Sequence, residues 1–369
     1  MNPCLARLDQ LRTELRQMDL AGMWVTNHSH VRYLTGFSGS AGILLVLPDH
    51  QHFLTDGRYR EQAAQEIDHC EIHIDLPPDP GRTHSHSGLP GLAHRHGLLS
   101  GSLSLGYDDL NVSVAAFRTL EEIFPAVRWT PVSNLIDRLA MIKDEIELQI
   151  LRGAISITDE AFSALIPDLQ PGATERQIAA RITTLVRQLG GDGDAFEPIV
   201  AAGPRGALPH AQPSDRAFAP GDFVILDFGA RVAGYHADMT RTVCIGPAED
   251  RHHQVYQAVL QAQLAGIGGI HDGAQAAGID RICRSLLQDQ GFGDAFNHST
   301  GHGVGLEVHT PPRLSASSAE ILKTNMVVTV EPGVYLPGWG GVRIEDDVLV
   351  TETGGVPLNT SPKEMLVTG

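Results

Sequence analysis

Carboxylates seldom sit inside apolar strand sequence, because burying an unpaired charge is expensive. The run Phe223-Val224-Ile225-Leu226-Asp227-Phe228-Gly229 nevertheless contains one. A second strand candidate, Gly234-Tyr235-His236-Ala237-Asp238-Met239-Thr240-Arg241-Thr242-Val243, contains another at Asp238. If residues 231–234 form the connecting loop, Ala230 faces Tyr235 and the same antiparallel register sets Asp227 opposite Asp238. Side chains facing each other in this way lie about 4.5–5.5 Å apart at Cβ, and like charges there are destabilising unless a cation sits between them. This pairing is the first sign of a metal.

The same device recurs downstream. Glu331-Pro332-Gly333 ends the strand-like Val327-Val328-Thr329-Val330, and Arg343-Ile344-Glu345-Asp346 follows a glycine-rich turn at Gly338 to Gly341. An acid on each arm of this hairpin, Glu331 and Glu345, can point to one place. Between the hairpins lies Thr300-Gly301-His302-Gly303-Val304-Gly305-Leu306-Glu307-Val308-His309. Glycines on both sides of His302 let its backbone and ring approach a site closely. A lone histidine is more often a satisfied core residue, but four strand-borne acids favour a ligand. Four carboxylates and one imidazole, with no thiolate, suit Mn²⁺, Co²⁺ or Zn²⁺, and two such ions would neutralise the four charges. Two ions roughly 3.5 Å apart activate a shared water and polarise a carbonyl, which is the equipment of amide hydrolysis.

The elements that must carry these residues follow from periodicity. Residues 5–20 read as an amphipathic helix with Leu5, Leu8, Leu11, Leu15 and Met18 at helical spacing. Gly22 to Val25 and Ala41 to Leu47 read as strands, and the alternation continues to about residue 130, giving an α/β domain over 1–130. Pro77 to Gly97, rich in Pro, Gly, Ser and His, reads as an exposed loop whose His84, His86, His94 and His96 could bind metal only adventitiously. Thr130 to Ser133 forms the boundary to a second domain, 131–369. There a helix spans Lys143 to Ile166, with Asp144, Glu145 and Glu147 in its first turn as the helix dipole favours. Thr174 and Gln177 form a capping box for another helix ending near Gln188. From Gly221 onward the sequence turns to strands separated by Gly- and Pro-containing turns.

The length of 369 residues suits two domains. A hydrophobic content of 42% and a charged content of 19% are ordinary for a soluble globular chain. The longest apolar run, Ile43 to Leu47, is far short of a membrane span. The N-terminus lacks a basic region followed by an apolar core, so no secretory signal is expected. Cys4, Cys70, Cys244 and Cys283 are widely separated, which argues against disulfides and thiolate zinc sites and fits a reducing cytoplasm. A net charge of −17 argues against nucleic acid or an anionic membrane as a partner.

The ordered set resembles the pita-bread metallopeptidases, and within them the creatinase, prolidase and aminopeptidase P group. In the C-terminal half the resemblance rests on Leu226 to Gly229, Ala237 to Thr242, His302 to His309, Glu331-Pro332-Gly333 and Arg343 to Asp346. It extends upstream to Ile199 to Gly203 and Ala207 to His210. In the N-terminal half, Tyr33 to Ser40 and Thr55 to Tyr59 resemble the accessory domain of bacterial Xaa-Pro peptidases. The implied fold is a creatinase-like α/β domain followed by an α+β pita-bread catalytic domain.

The resemblance implies that Asp238 and Glu345 bridge two ions, most naturally Mn²⁺, that Asp227 completes one, and that His302 and Glu331 complete the other. It also makes Glu331 the general base and places His210 and His309 on the scissile carbonyl, the tetrahedral intermediate or the substrate carboxylate. Arg343 would orient Glu345, His309 or substrate, its planar fork binding two oxygens. The implied reaction is hydrolysis of the bond before a proline in short peptides, by a cytoplasmic homodimer. One departure is Thr310, where relatives often carry glutamate after the second histidine. A methionine aminopeptidase is disfavoured by the long N-terminal domain, a metal-free creatinase by the intact ligands, and a non-catalytic binding protein by the same ligands. The choice between Xaa-Pro dipeptides and longer peptides lies in loops the sequence does not interpret.

Overall fold

The computed structural model describes residues 2–76 and 88–369. The chain divides into two compact units, Met1–Ala140 and Met141–Gly369.

In the first unit, helix α1 spans Pro3–Gln17, capped by the Asn2 side chain, which accepts from the Cys4 amide. It buries Leu8, Leu11 and Leu15, while Leu5 and Met18, at the ends of the expected stripe, are exposed. Strands β1 (Gly22–Val25), β2 (Ile43–Val46), β3 (Gln51–Asp56), β4 (Glu71–Asp75), β5 (Ser104–Tyr107) and β6 (Arg128–Pro131) form one mixed sheet in the order β4-β3-β2-β1-β5-β6. Helices α2 (His28–Thr35), α3 (Arg60–Glu66), α4 (Gly88–Arg95), α5 (Val114–Ile123) and α6 (Leu135–Ala140) connect and follow them.

One expectation needs correcting here. Part of the stretch assigned to a loop is helix α4, because Leu92 and Ala93 bury against Trp24, Leu45, Leu54 and Leu105. Tertiary burial overrides the poor local propensity of a Pro- and Gly-containing segment. His84 and His86 lie outside the described residues. Because β6 pairs with β5 and α6 follows in the same unit, the division lies beyond Thr130 to Ser133.

In the second unit, α7 (Glu145–Leu165) begins with a capping box between Asp144 and Glu147, and α8 (Glu175–Gln188) begins with one between Thr174 and Gln177. Both pack on strands Ile199–Ala202, Phe223–Phe228 and Met239–Ile245 through Phe162, Leu165, Ile182, Val186, Val224, Leu226 and Val243. Helices α9 (Asp250–Gly268) and α10 (Ala276–Asp289) share a second core with Val328, Val330, Val334, Val342 and Val348. Each layer thus has its own apolar centre, and strands from both meet where the acids lie.

The ribbon formed by Val327–Leu336 and Gly340–Val350 keeps one antiparallel register throughout. Val330 pairs with Asp346, and Gly333 pairs with Arg343. The outer parts of the two arms nevertheless belong to different sheets. At the interruption Glu331 stands across from Glu345, and their amides turn to other strands, Glu331 N donating to Thr300 O and Glu345 N to Thr240 O. The four free thiols Cys4, Cys70, Cys244 and Cys283 form no disulfide. Among the described residues no helix is long and apolar enough to cross a membrane.

Candidate metal centre

The first carboxylate hairpin is tighter than the sequence suggests. Val232 faces Tyr235 across a turn in which Ala233 and Gly234 have φ of 46° and 82°. Positive φ at both central residues matches the twist of paired strands, so a two-residue turn replaces the expected four-residue loop. The register therefore moves by two: Asp227 pairs with Thr240, and Asp238 does not lie opposite it. A shift of two preserves the face on which side chains project, so both acids still reach one cavity. Their approach depends on Gly229, where a Cβ would lie 1.7 Å from the Ala237 carbonyl oxygen.

All eight residues singled out in the sequence, His210, Asp227, Asp238, His302, His309, Glu331, Arg343 and Glu345, line one cavity of about 190 Å³. Single donor atoms of Asp238, His302 and Glu345 lie within 4.8 Å of one another. His302 Nε2 lies 3.6 Å from Asp238 Oδ2 and 3.6 Å from Glu331 Oε1. Its Nδ1 contacts the Gly303 carbonyl oxygen at 3.2 Å, so that nitrogen carries the proton and Nε2 turns a lone pair toward the carboxylates. Burial, reinforced by His309, lowers the His302 pKa to about 3, so the ring is neutral. Gly303 is required beside it, because a Cβ there would meet the Pro311 carbonyl oxygen at 2.2 Å.

Electrostatics gives the same reading. Burial, followed by Glu345, Asp227, Asp347 and Glu331, raises the Asp238 pKa well above the usual carboxylate range. Glu345 is raised in the same way by burial, Glu331 and Asp227. Burial also lifts Glu331 to about 8, against the opposing pull of Arg343. Asp227 Oδ1 is buried without a hydrogen-bond partner. Lone pairs facing lone pairs, and a carboxylate oxygen with nothing to accept, fit divalent cations among these five side chains.

The supporting contacts differ from expectation at Arg343. Its Nη2 donates to Asp227 Oδ2, its Nη1 to the Tyr335 hydroxyl at 2.7 Å and its Nε to Thr240 Oγ1 at 3.1 Å. It therefore positions Asp227, not Glu345 or His309. The chain leaves regular strand after Arg343, so spacing by two no longer places Glu345 beside it. Glu345 is held by the Thr240 hydroxyl, which donates to Oε2 at 2.6 Å. Asp238 is held through its amide, which donates to Asp347 Oδ2 at 2.9 Å.

His210 and His309 are exposed at the cavity wall, and the His302 and His309 rings lie 4.3 Å apart. Thr310 brings no carboxylate, and its hydroxyl is buried without a partner. Three lining or supporting residues escaped the sequence reading. His298 Nε2 contacts the Tyr335 hydroxyl at 2.8 Å, extending the chain that begins at Arg343. Arg313 lines the cavity with an exposed side chain. Nothing in local spacing marks His298, Arg313 or Tyr335.

Residues 149–352 match the model of metallopeptidase family M24, and residues 7–142 match the creatinase/prolidase N-terminal domain. An uncharacterised peptidase of Bacillus subtilis is 38% identical over 361 residues, 98% of this chain and 99% of its own. The structure of an Xaa-Pro dipeptidase from Bacillus anthracis superposes with a TM-score of 0.91 at 35% identity, covering 99% of both chains. An X-Pro aminopeptidase from Thermotoga maritima gives 0.87 at 32% identity, covering 98% of this chain and 99% of its own. The two-domain architecture, ending in a pita-bread catalytic domain, is common to all of these structures. The chain belongs to metallopeptidase family M24, in the branch that carries a creatinase/prolidase N-terminal domain.

Proposed function

We infer that this enzyme hydrolyses the peptide bond preceding proline, and that Xaa-Pro dipeptides are among its substrates. The observation that carries the reading is the convergence of Asp227, Asp238, His302, Glu331 and Glu345 on one cavity whose wall also presents His210, His309 and Arg313. Asp227, Asp238, His302, Glu331 and Glu345 would hold two divalent ions. Bound there, two divalent ions supply Lewis acidity and a water acidic enough to act as nucleophile near neutral pH. Manganese is the ion we expect, because carboxylates dominate the donor set and thiolates are lacking.

The protein's own groups divide the remaining work. Glu331 accepts the proton of the attacking water and delivers it to the departing prolyl nitrogen. His210 and His309 donate to the oxygen on which negative charge develops. Arg343 holds Asp227 in place through a single bond from Nη2 to Oδ2. Arg313 offers an exposed guanidinium at the cavity, suited to the free carboxylate that immediately follows proline in a dipeptide. A cytoplasmic homodimer acting on short proline-containing peptides carries over from the family resemblance, and sedimentation of the purified chain tests the dimer.

Gly-Pro should be assayed against an Xaa-Pro-Pro tripeptide with Mn²⁺ present. Cleavage of Gly-Pro is the expected result. Failure to cleave either peptide with Mn²⁺, Co²⁺ or Zn²⁺ would overturn the peptidase reading, and cleavage of the tripeptide alone would overturn the dipeptide assignment.

A further inference from the structure

A second cluster of metal-binding side chains lies wholly within the first unit. The parallel strands β3 and β4 pair His52 with Glu71 and Leu54 with His73. Alternation along a strand puts His52, Glu71 and His73 on the face that also carries Leu54. Helix α4 covers that face through Leu92 and Ala93, and His96 follows the helix directly. The His96 ring lies 4.7 Å from that of His73. The aligned strands and the covering helix thus bring three imidazoles and a carboxylate to one edge of an apolar core.

The donor atoms are spaced for one ion. His52 Nδ1 lies 3.2 Å from His73 Nε2 and 3.3 Å from Glu71 Oε2, and His73 Nε2 lies 3.6 Å from Glu71 Oε1. Two donors at zinc-ligand distances on a tetrahedral ion lie roughly 3.3 Å apart. Both histidines are buried, whereas Glu71 is exposed and closes the solvent side. Two imidazoles and one carboxylate leave a dication with net positive charge, and the exposed His96 ring lies beside that of His73.

We propose that His52, Glu71 and His73, with His96 alongside, form a zinc-class divalent metal site in the N-terminal domain, separate from the catalytic centre. Imidazole and carboxylate donors in this number select borderline ions such as Zn²⁺ over Mg²⁺ or Ca²⁺. The competing arrangement is a proton-shared His–His–Glu chain holding the edge of the sheet without metal. The site sits on sheet residues of the first unit, and none of its side chains is among those that line the catalytic cavity.

The test uses the full-length protein. Wild type and His73→Gln are dialysed against buffered micromolar free Zn²⁺, and bound zinc per chain is measured by mass spectrometry. The wild type should hold one more zinc than His73→Gln, while Mn²⁺-supported peptidase activity is equal in the two. Equal zinc content in a normally folded His73→Gln variant would overturn the proposal. Should that variant fail to fold, Glu71→Gln, at an exposed position, is titrated with Zn²⁺ by calorimetry. At least a tenfold weakening of one binding event is expected, and an unchanged isotherm would overturn the site.

Discussion

Arg343 grips Asp227 by one oxygen only: its Nη2 donates to Oδ2, and Oδ1 is left buried without a partner. The guanidinium is itself fixed by Tyr335 and Thr240. The free oxygen is therefore aimed by a residue of a different sheet, 116 positions further along the chain, and the carboxylate is oriented before any ion arrives. Preorganisation of this kind reduces what must be ordered on binding.

Replacing Arg343 by Lys keeps the charge and loses the fork. We expect activity to fall about 10- to 100-fold, as for loss of other groups that orient metal ligands. Manganese affinity should fall with it. Steady-state kinetics across a Mn²⁺ titration would check this, and an unaltered titration curve would remove Asp227 from the account.

Asp238→Ala should abolish metal retention in the catalytic centre, because the other carboxylates then lose their shared partner. Metal content after gel filtration is the measurement. A variant that keeps both ions and full activity would refute the bridging role.

Gly229→Ala should be as damaging as loss of a ligand, though the residue carries no functional group. A Cβ there would lie 1.7 Å from the Ala237 carbonyl oxygen, and only a backbone shift that carries Asp238 away can relieve it. The expected signature is a folded protein with weakened Mn²⁺ binding. Retained metal affinity in a folded Gly229→Ala protein would sink this explanation.

In metal-free protein the Glu331 contribution to stability should fall as pH rises from about 6.5 to 8. Glu331 has a folded pKa near 8 against an ordinary 4.5, so its protonated form favours folding, and that contribution disappears as pH passes through the folded value. His302 and His298, lowered to about 3 and about 4, slope the other way up to about pH 7.5, because their unfolded imidazoles still bind protons there while the folded ones do not. His30, raised to about 9 by Asp108 and Asp137 despite its burial, slopes in the same direction as Glu331. Comparing chelated wild type with Glu331→Gln in denaturant melts isolates the Glu331 part, at most about 1.4 kcal/mol per pH unit. Identical slopes in the two proteins would contradict it.

Arg313→Met should raise KM for Gly-Pro at least tenfold and leave an Xaa-Pro-Pro tripeptide, whose first proline carries no free carboxylate, little changed. Equal effects on both substrates would assign Arg313 to something other than that carboxylate.

The five donors were legible because acids within Val/Ile/Phe runs and a histidine between glycines are costly unless something binds them. Their pairing was not. The register turned on whether Ala233 could take positive φ, a conformation that single-residue preferences assign to Gly or Asn, and the chain places it there beside Gly234. The partner of Arg343 was hidden for a related reason, since spacing by two implies a shared face only while the strand stays regular. His298, Tyr335 and Arg313 were invisible because their contacts and exposure at the site, not their types or spacing, mark them. Helix α4 emerged from a segment of poor helix formers because the first core needed Leu92 and Ala93.

The unbroken register of the Glu331 and Glu345 ribbon also sets where this chain can change length. Residues added at its tip, near Gly338, lie beyond the Gly333–Arg343 pair and would leave the two acids abreast. A single residue added to either arm between the tip and the acids would carry one carboxylate past the other. Length variation compatible with catalysis is thus confined to the tip end of the ribbon, while the ion-binding end stays constant.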